Sequence, residues 1–157
     1  MQKEPYRLLL DYSFWLLGRK AYAEVAILKK LKLRAKRAGL EDSEAAILMV
    51  MARLKELKYV DDDKILENYF DYSLSAKPQG KFMFVQKMRQ KGILAKYAKE
   101  AWEKRGVNEF ELARKFLESR AAKLKKWPED KRKQKTAALL ASRGFSASTV
   151  WGVLDKF

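Results

Sequence analysis

The sequence predicts an all-α protein built as three tandem three-helix units, forming an elongated array, straight or curved. Three observations carry this. Apolar residues recur at i, i+3, i+4 and i+7 through most of the 157 residues, the spacing of a half-buried helix. No alternating β-rich segment and no Gly-rich phosphate loop interrupts that period. A phrase also repeats, in which a basic amphipathic stretch leads to Gly and then a large apolar residue. It is read as Arg37-Ala38-Gly39-Leu40, Gln90-Lys91-Gly92-Ile93 and Ser142-Arg143-Gly144-Phe145, with the glycines 53 and 52 residues apart. One such phrase is a helix C-cap, where Gly takes the left-handed conformation at little steric cost. Three in near-equal register mark a repeat.

The first unit, residues 1–60, opens with a helix from Tyr6 to Leu17 carrying Leu8, Tyr12, Trp15 and Leu16 on one face. A basic helix from Ala23 to Ala38 follows, with Ile27, Leu28, Leu31, Ala35 and Ala38 inward. A third helix, opened by Asp42 or Ser43 as N-cap, has the stripe Ile47, Val50, Met51, Leu54 and Leu57. The second unit, residues 61–106, starts at Asp61-Asp62-Asp63 and continues with Ile65, Leu66, Tyr69, Phe70 and Tyr72. Lys77-Pro78-Gln79-Gly80 separates its first two helices, and Leu94, Tyr97, Ala98, Ala101 and Trp102 line its last. In the third unit, residues 107–157, Asn108 and Glu111 have capping-box spacing ahead of Phe110, Ala113, Leu117, Ala121 and Leu124. Trp127-Pro128-Glu129-Asp130 breaks the chain with Pro128 at a first helical position, and Ser146 caps a final helix holding Val150, Trp151 and Leu154.

With 48% hydrophobic and 35% charged residues the chain is neither disordered nor membrane-like, and it fits helices with one apolar and one solvated face. There is no Cys and no His, which excludes zinc sites, thiol nucleophiles, His-based triads and disulfides, and fits a reducing cytoplasm. The N-terminal Lys3, Arg7 and Leu8 to Leu17 imitate a signal peptide, but Asp11 breaks the apolar run and Arg19-Lys20 sit where a cleavage site is uncharged. No run approaches the roughly 18 apolar residues that span a bilayer, so no membrane is expected as a partner.

The net charge of +15 favours polyanions or acidic protein surfaces. It is spread along the chain: residues 1–60 hold 13 basic and 7 acidic residues, 61–106 hold 10 and 7, and 107–157 hold 12 and 6. An extended basic array suits an extended partner. Lys29, Lys30, Lys32, Arg34, Lys36 and Arg37 crowd one helix with no acid between them. Each alone reads as a solvated face; as a cluster they suit phosphates or an acidic surface. Lys125, Lys126, Lys131, Arg132, Lys133 and Lys135 surround Trp127, which either stacks on a base or, the favoured reading, packs as a hydrophobic staple ahead of Pro128. Phe82, Phe84 and Tyr97 are expected in the core. The three consecutive aspartates point in different directions and read as helix caps rather than a metal site. No catalytic residue, metal or cofactor is expected.

The segment Leu54 to Asp62 (Leu-Lys-Glu-Leu-Lys-Tyr-Val-Asp-Asp), the turn Lys77-Pro78-Gln79-Gly80, the helix end Met88-Arg89-Gln90-Lys91-Gly92-Ile93 and the late Arg143-Gly144-Phe145-Ser146 together resemble the RecX family. The similarity runs from Leu8 to Leu154, with a longer middle helix in the first unit. The resemblance implies a cytoplasmic, monomeric, non-catalytic regulator of the bacterial RecA recombinase in recombination and DNA repair. It implies lodging in the groove of the RecA–DNA filament, inhibition of ATP hydrolysis, strand exchange and filament assembly, and contact with single- and double-stranded DNA. Candidate contacts are then the two basic clusters together with Lys81, Lys87, Arg89, Lys91 and Arg143. The alternative is a general nucleic-acid-binding helical repeat that acts without RecA.

Overall fold

The computed structural model describes residues 4–156, and within them the regular structure is helical with no strand. The helices are α1 (Pro5–Leu17), α2 (Glu24–Arg37), α3 (Glu44–Glu56), α4 (Asp62–Asp71), α5 (Lys81–Gln90), α6 (Ala95–Arg105), α7 (Glu109–Leu124), α8 (Glu129–Ser142) and α9 (Ala147–Leu154). A π-helical turn, Tyr72–Ala76, extends α4. The chain packs as two compact units, one running to Ile65 and taking in Gln90–Ile93, the other made of Leu66–Arg89 and the residues from Leu94 onward.

In the first unit α1, α2 and α3 pack on one another around Leu9, Leu16, Ile27, Leu31, Val50 and Leu54. Each such side chain contributes about 1.5–3 kcal/mol on burial. The buried row of α1 is Leu9, Ser13 and Leu16, rotated from the predicted Leu8, Tyr12, Trp15 and Leu16. The rotation is possible because Ser13 donates its hydroxyl to the Leu9 carbonyl at 2.8 Å, so a polar residue sits in the core without an unmet hydrogen bond. Trp15 is left 53% exposed.

The aspartates do cap helices, but not one helix. Asp61 accepts from Lys64 N at 3.2 Å at the start of α4, whereas Asp62 accepts from Glu24 N at 2.9 Å and so caps α2, 38 residues earlier. Partial burial raises the Asp62 carboxyl above the usual carboxylate value, against the lowering effect of the Glu24 amide; Glu24, Asp63 and Asp61 add to the rise. A raised folded pKa means that its contribution is fully present below the unfolded value and is lost as pH rises through the folded one. Asp62→Asn therefore keeps the acceptor and is expected to leave stability at neutral pH undiminished, while Asp62→Ala costs about 1 kcal/mol. Urea denaturation of both variants checks this; an Asn variant as unstable as Ala contradicts it.

In the second compact unit Phe70 stacks on Phe84, with centroids 4.2 Å apart, and Trp102 packs on both. α7, α8 and α9 pack around Phe116, Leu117, Leu140 and Val153. The two groups of helices meet through backbone. Gly80 N donates to Arg143 O at 2.9 Å and Phe82 N to Gly144 O at 3.2 Å. A Cβ on Gly80 would come within 2.6 Å of Gly144 C, so a side chain is excluded there. Beside this contact Gln79, buried, donates to the buried Ser73 hydroxyl at 2.8 Å.

A positional rule emerges. Gly144 lies against Gly80 and Met83, the residue before α5 and its third residue. Within the first compact unit, Gly92 lies against Ala23 and Ala26, which hold the same two places on α2. Gly39 meets nothing.

Several local expectations shift. Ser43 does precede α3, but its own backbone is helical (φ −80°, ψ −4°) and its side chain makes no cap bond; Asp42 is left-handed at φ 52°. Asn108 accepts from Glu111 N at 3.1 Å, but the return arm of the capping box is missing because the Glu111 carboxylate pairs with Arg114 at 2.9 Å. Pro128 sits one place earlier than expected, before the first residue of α8. Ser146 caps α9 as expected, accepting from Thr149 N at 3.3 Å.

Candidate interaction surfaces

Three rings and their cations define the first surface, on α1, α2 and the segment between them. Tyr12 stacks on Trp15 at 6.0 Å with an interplanar angle of 19°, and Phe14 meets Tyr59 edge-on at 5.4 Å. Arg19, one helical turn beyond Trp15, lies 4.0 Å over its ring, and Arg34 of α2 lies 5.4 Å over Tyr12. Lys20 and Lys30 flank Tyr22 at 4.9 and 5.4 Å. Lys30 and Arg34 are one turn apart on α2, so the rings of Tyr12 and Tyr22 are bridged by adjacent cations. Lys29, Lys32, Lys36 and Arg37 are also on α2, at or toward the surface around the buried Ile27, Leu31 and Ala35.

Exposed cation–π contacts are worth about 0.5–1 kcal/mol, less than the roughly 1–3 kcal/mol of a nucleobase stacked on an aromatic ring. A cation over an exposed ring such as Trp15 is therefore held more weakly than a stacked base would be. Of these residues, the sequence singled out Lys30 and Arg34. Tyr12, Trp15, Arg19, Lys20 and Tyr22 were missed, because Tyr12 and Trp15 fit the apolar period of α1. The available signal was Arg19 at i+4 from Trp15 with Lys20 next to it.

In the second compact unit, α5, α6 and the turn into α9 enclose a groove of about 500 Å³. Val85, Ala95, Gly144 and Phe145 form its floor; Lys81, Arg89 and Lys99 stand around it. Phe82 is 70% exposed on its rim and Tyr97 of α6 is exposed as well, which corrects the expectation of core packing for both. The reason is angular: Phe84, Val85 and Met88 make the buried face of α5, and Phe82, two residues before Phe84, points away from it. Phe84 is in the core as expected. Leu94 and Trp151, predicted inward, are exposed too. Lys87 is exposed on α5, and Lys91 is exposed in the turn after it.

The second basic cluster gathers at the α7–α8 corner. Lys135 lies 4.5 Å over the ring of Trp127, a residue 42% exposed, so Trp127 is a half-covered edge rather than a buried staple. Arg132 turns back to donate to the carbonyls of Trp127 at 3.1 Å and Lys125 at 3.3 Å. Arg143 likewise serves the fold, donating from Nη2 to Pro78 O at 2.7 Å and from Nε to the same oxygen at 3.1 Å. Lys125, Lys126, Lys131 and Lys133 are exposed. Among the described residues no group of His, Cys, Asp or Glu is arranged to hold a metal, and no helix is long and apolar enough to cross a membrane.

Comparison with known proteins converges on one family. Residues 108–154 match the family model for RecX, third three-helix domain. A regulatory protein RecX from Chlorobaculum tepidum is 30% identical over 141 residues, covering 90% of this chain and 82% of the relative. One from Prosthecochloris aestuarii is 29% identical over 161 residues, covering 99% and 97%. The crystal structure of RecX from Lactobacillus salivarius has the same fold, with a TM-score of 0.72 at 18% identity over 97% of this chain and 93% of that one. Identity at that level over nearly the full length of both sequences, on a shared all-helical fold, places the chain in the RecX family.

Proposed function

We propose that this chain regulates RecA, binding the RecA–DNA filament in its groove and inhibiting ATP hydrolysis, strand exchange and filament assembly. It acts without catalysis of its own, as a monomer of three functional repeats, residues 1–60, 61–106 and 107–157. The RecA assignment is supported by relatives that are regulatory RecX proteins over nearly their whole length. Contact with DNA is supported by the first surface, where cations of α2 and of the segment after α1 flank the exposed Trp15 and the half-buried Tyr12 and Tyr22. Stoichiometric protein added to RecA on single-stranded DNA at low salt is expected to suppress ATPase and strand exchange. Unchanged rates would sink the proposal.

The same surface favours a second reading, nucleic-acid binding independent of RecA. The two separate by salt. If Arg19, Lys20, Lys30 and Arg34 each neutralise a phosphate, log affinity for a single-stranded oligonucleotide should fall with log salt at a slope of about −3. A RecA regulator binds the RecA–DNA filament more tightly than the naked strand at every salt concentration. Equal affinity for both makes this chain a plain polyanion binder.

A further inference from the structure

We propose that the groove between α5, α6 and the turn into α9 binds a short acidic peptide segment through one large apolar anchor side chain. This deepens the proposed function by assigning a protein contact, separate from DNA, to a particular place. The volume, about 500 Å³, lies within the roughly 300–1,000 Å³ of ligand pockets. Its floor, Val85, Ala95, Gly144 and Phe145, is apolar, and the Gly144 amide and carbonyl are already bonded to Ala141 O and Phe82 N. A nucleobase seated there would leave its hydrogen-bonding edges unmet, at a cost an apolar side chain does not incur.

Phe82, exposed at the rim, supplies a hydrophobic wall for such an anchor. The surrounding charge selects acids. Arg89 and Lys99 have no partner among the described residues, and Lys81 is engaged only with Glu103 in an exposed ion pair of the kind worth about 0–1 kcal/mol. The single acidic residue lining the groove, Glu109, is occupied by the Ser146 amide at 2.9 Å. An apolar seat ringed by available cations complements an apolar side chain flanked by carboxylates.

The test is fluorescence anisotropy of the full chain with three labelled probes: a twelve-residue Asp/Glu peptide carrying one central Phe, the same peptide with Ala in place of Phe, and a twelve-residue oligothymidylate. The Phe peptide is expected to bind at least about tenfold more tightly than the Ala peptide. Phe82→Ala should remove that preference, and the pair Arg89→Glu, Lys99→Glu should weaken binding of both peptides at least about tenfold, all at exposed positions and without changing the thermal melt. Equal binding of the two peptides would overturn the assignment. So would oligothymidylate binding that these substitutions abolish, which makes the groove a nucleic-acid site. Because RecA is absent from this assay, loss of RecA inhibition and loss of peptide preference are read independently.

Discussion

Gly144→Ala is expected to unfold most of the second compact unit, whereas Gly39→Ala leaves the first unit folded. Both glycines close a basic helix with a left-handed backbone, φ 79° and 66°. An L side chain in that region costs about 1–2 kcal/mol, and this is the whole cost at Gly39, where an added Cβ meets nothing. At Gly144 the Cβ would come within 2.8 Å of Met83 Cα and closer still to Met83 N and Cβ. Backbone cannot yield as a side-chain tip can, so the Gly80–Arg143 and Phe82–Gly144 hydrogen bonds would be forced apart. Overpacking added to the backbone term gives about 3–5 kcal/mol. Urea titrations followed by far-UV circular dichroism measure both variants; equal losses would show that the close approach does not hold this unit together.

The second large effect is functional. Arg19→Glu, Lys30→Glu and Arg34→Glu together reverse the charge over Trp15, Tyr22 and Tyr12. Under the RecA reading the triple variant should need more than about tenfold more protein for half-inhibition of the RecA ATPase, equivalent to about 1.4 kcal/mol of binding. Trp15→Ala, which removes the ring and keeps the charge, should cost about 1–3 kcal/mol if a base stacks there. Trp15, Arg19 and Arg34 are exposed and Lys30 is half-exposed, so the melting temperature should hold. Inhibition as strong as that of the unaltered chain would remove the first surface from the mechanism.

Helix existence and order were legible because each helix repeats apolar residues at its own period, and because glycines marked the ends of the basic helices. The faces were less legible. Ser13 occupies the centre of a buried row that a hydrophobicity pattern assigns to its neighbours, and only the Leu9 carbonyl explains why. Phe82, Tyr97 and Trp151 belong to helices short enough that one extra apolar residue shifts the inferred stripe, Leu94 stands just before α6, and each is exposed. The basic clusters were legible as charge but not as sites. Arg132 and Arg143, the same in sequence as any other cation, spend their donors on turn carbonyls, while Arg19 and Lys99 gain significance only from the rings and groove beside them. Asp62 was readable as a cap, but the helix that it caps is fixed by folding across 38 residues.

The packing of Gly92 and Gly144 also says which helices can receive such a glycine. On α2 the two places that meet the incoming glycine hold Ala23 and Ala26, and on α5 they hold Gly80 and Met83. On α8 the corresponding places are Pro128 and Lys131, both exposed, with Glu129 and Asp130 between them. A rigid ring and a hydrated ammonium make a poorer seat for a glycine backbone than the small side chains at the same places on α2. Whether a helix of this protein can receive a glycine from another turn is therefore written in two side chains, the one before its first turn and the third within it.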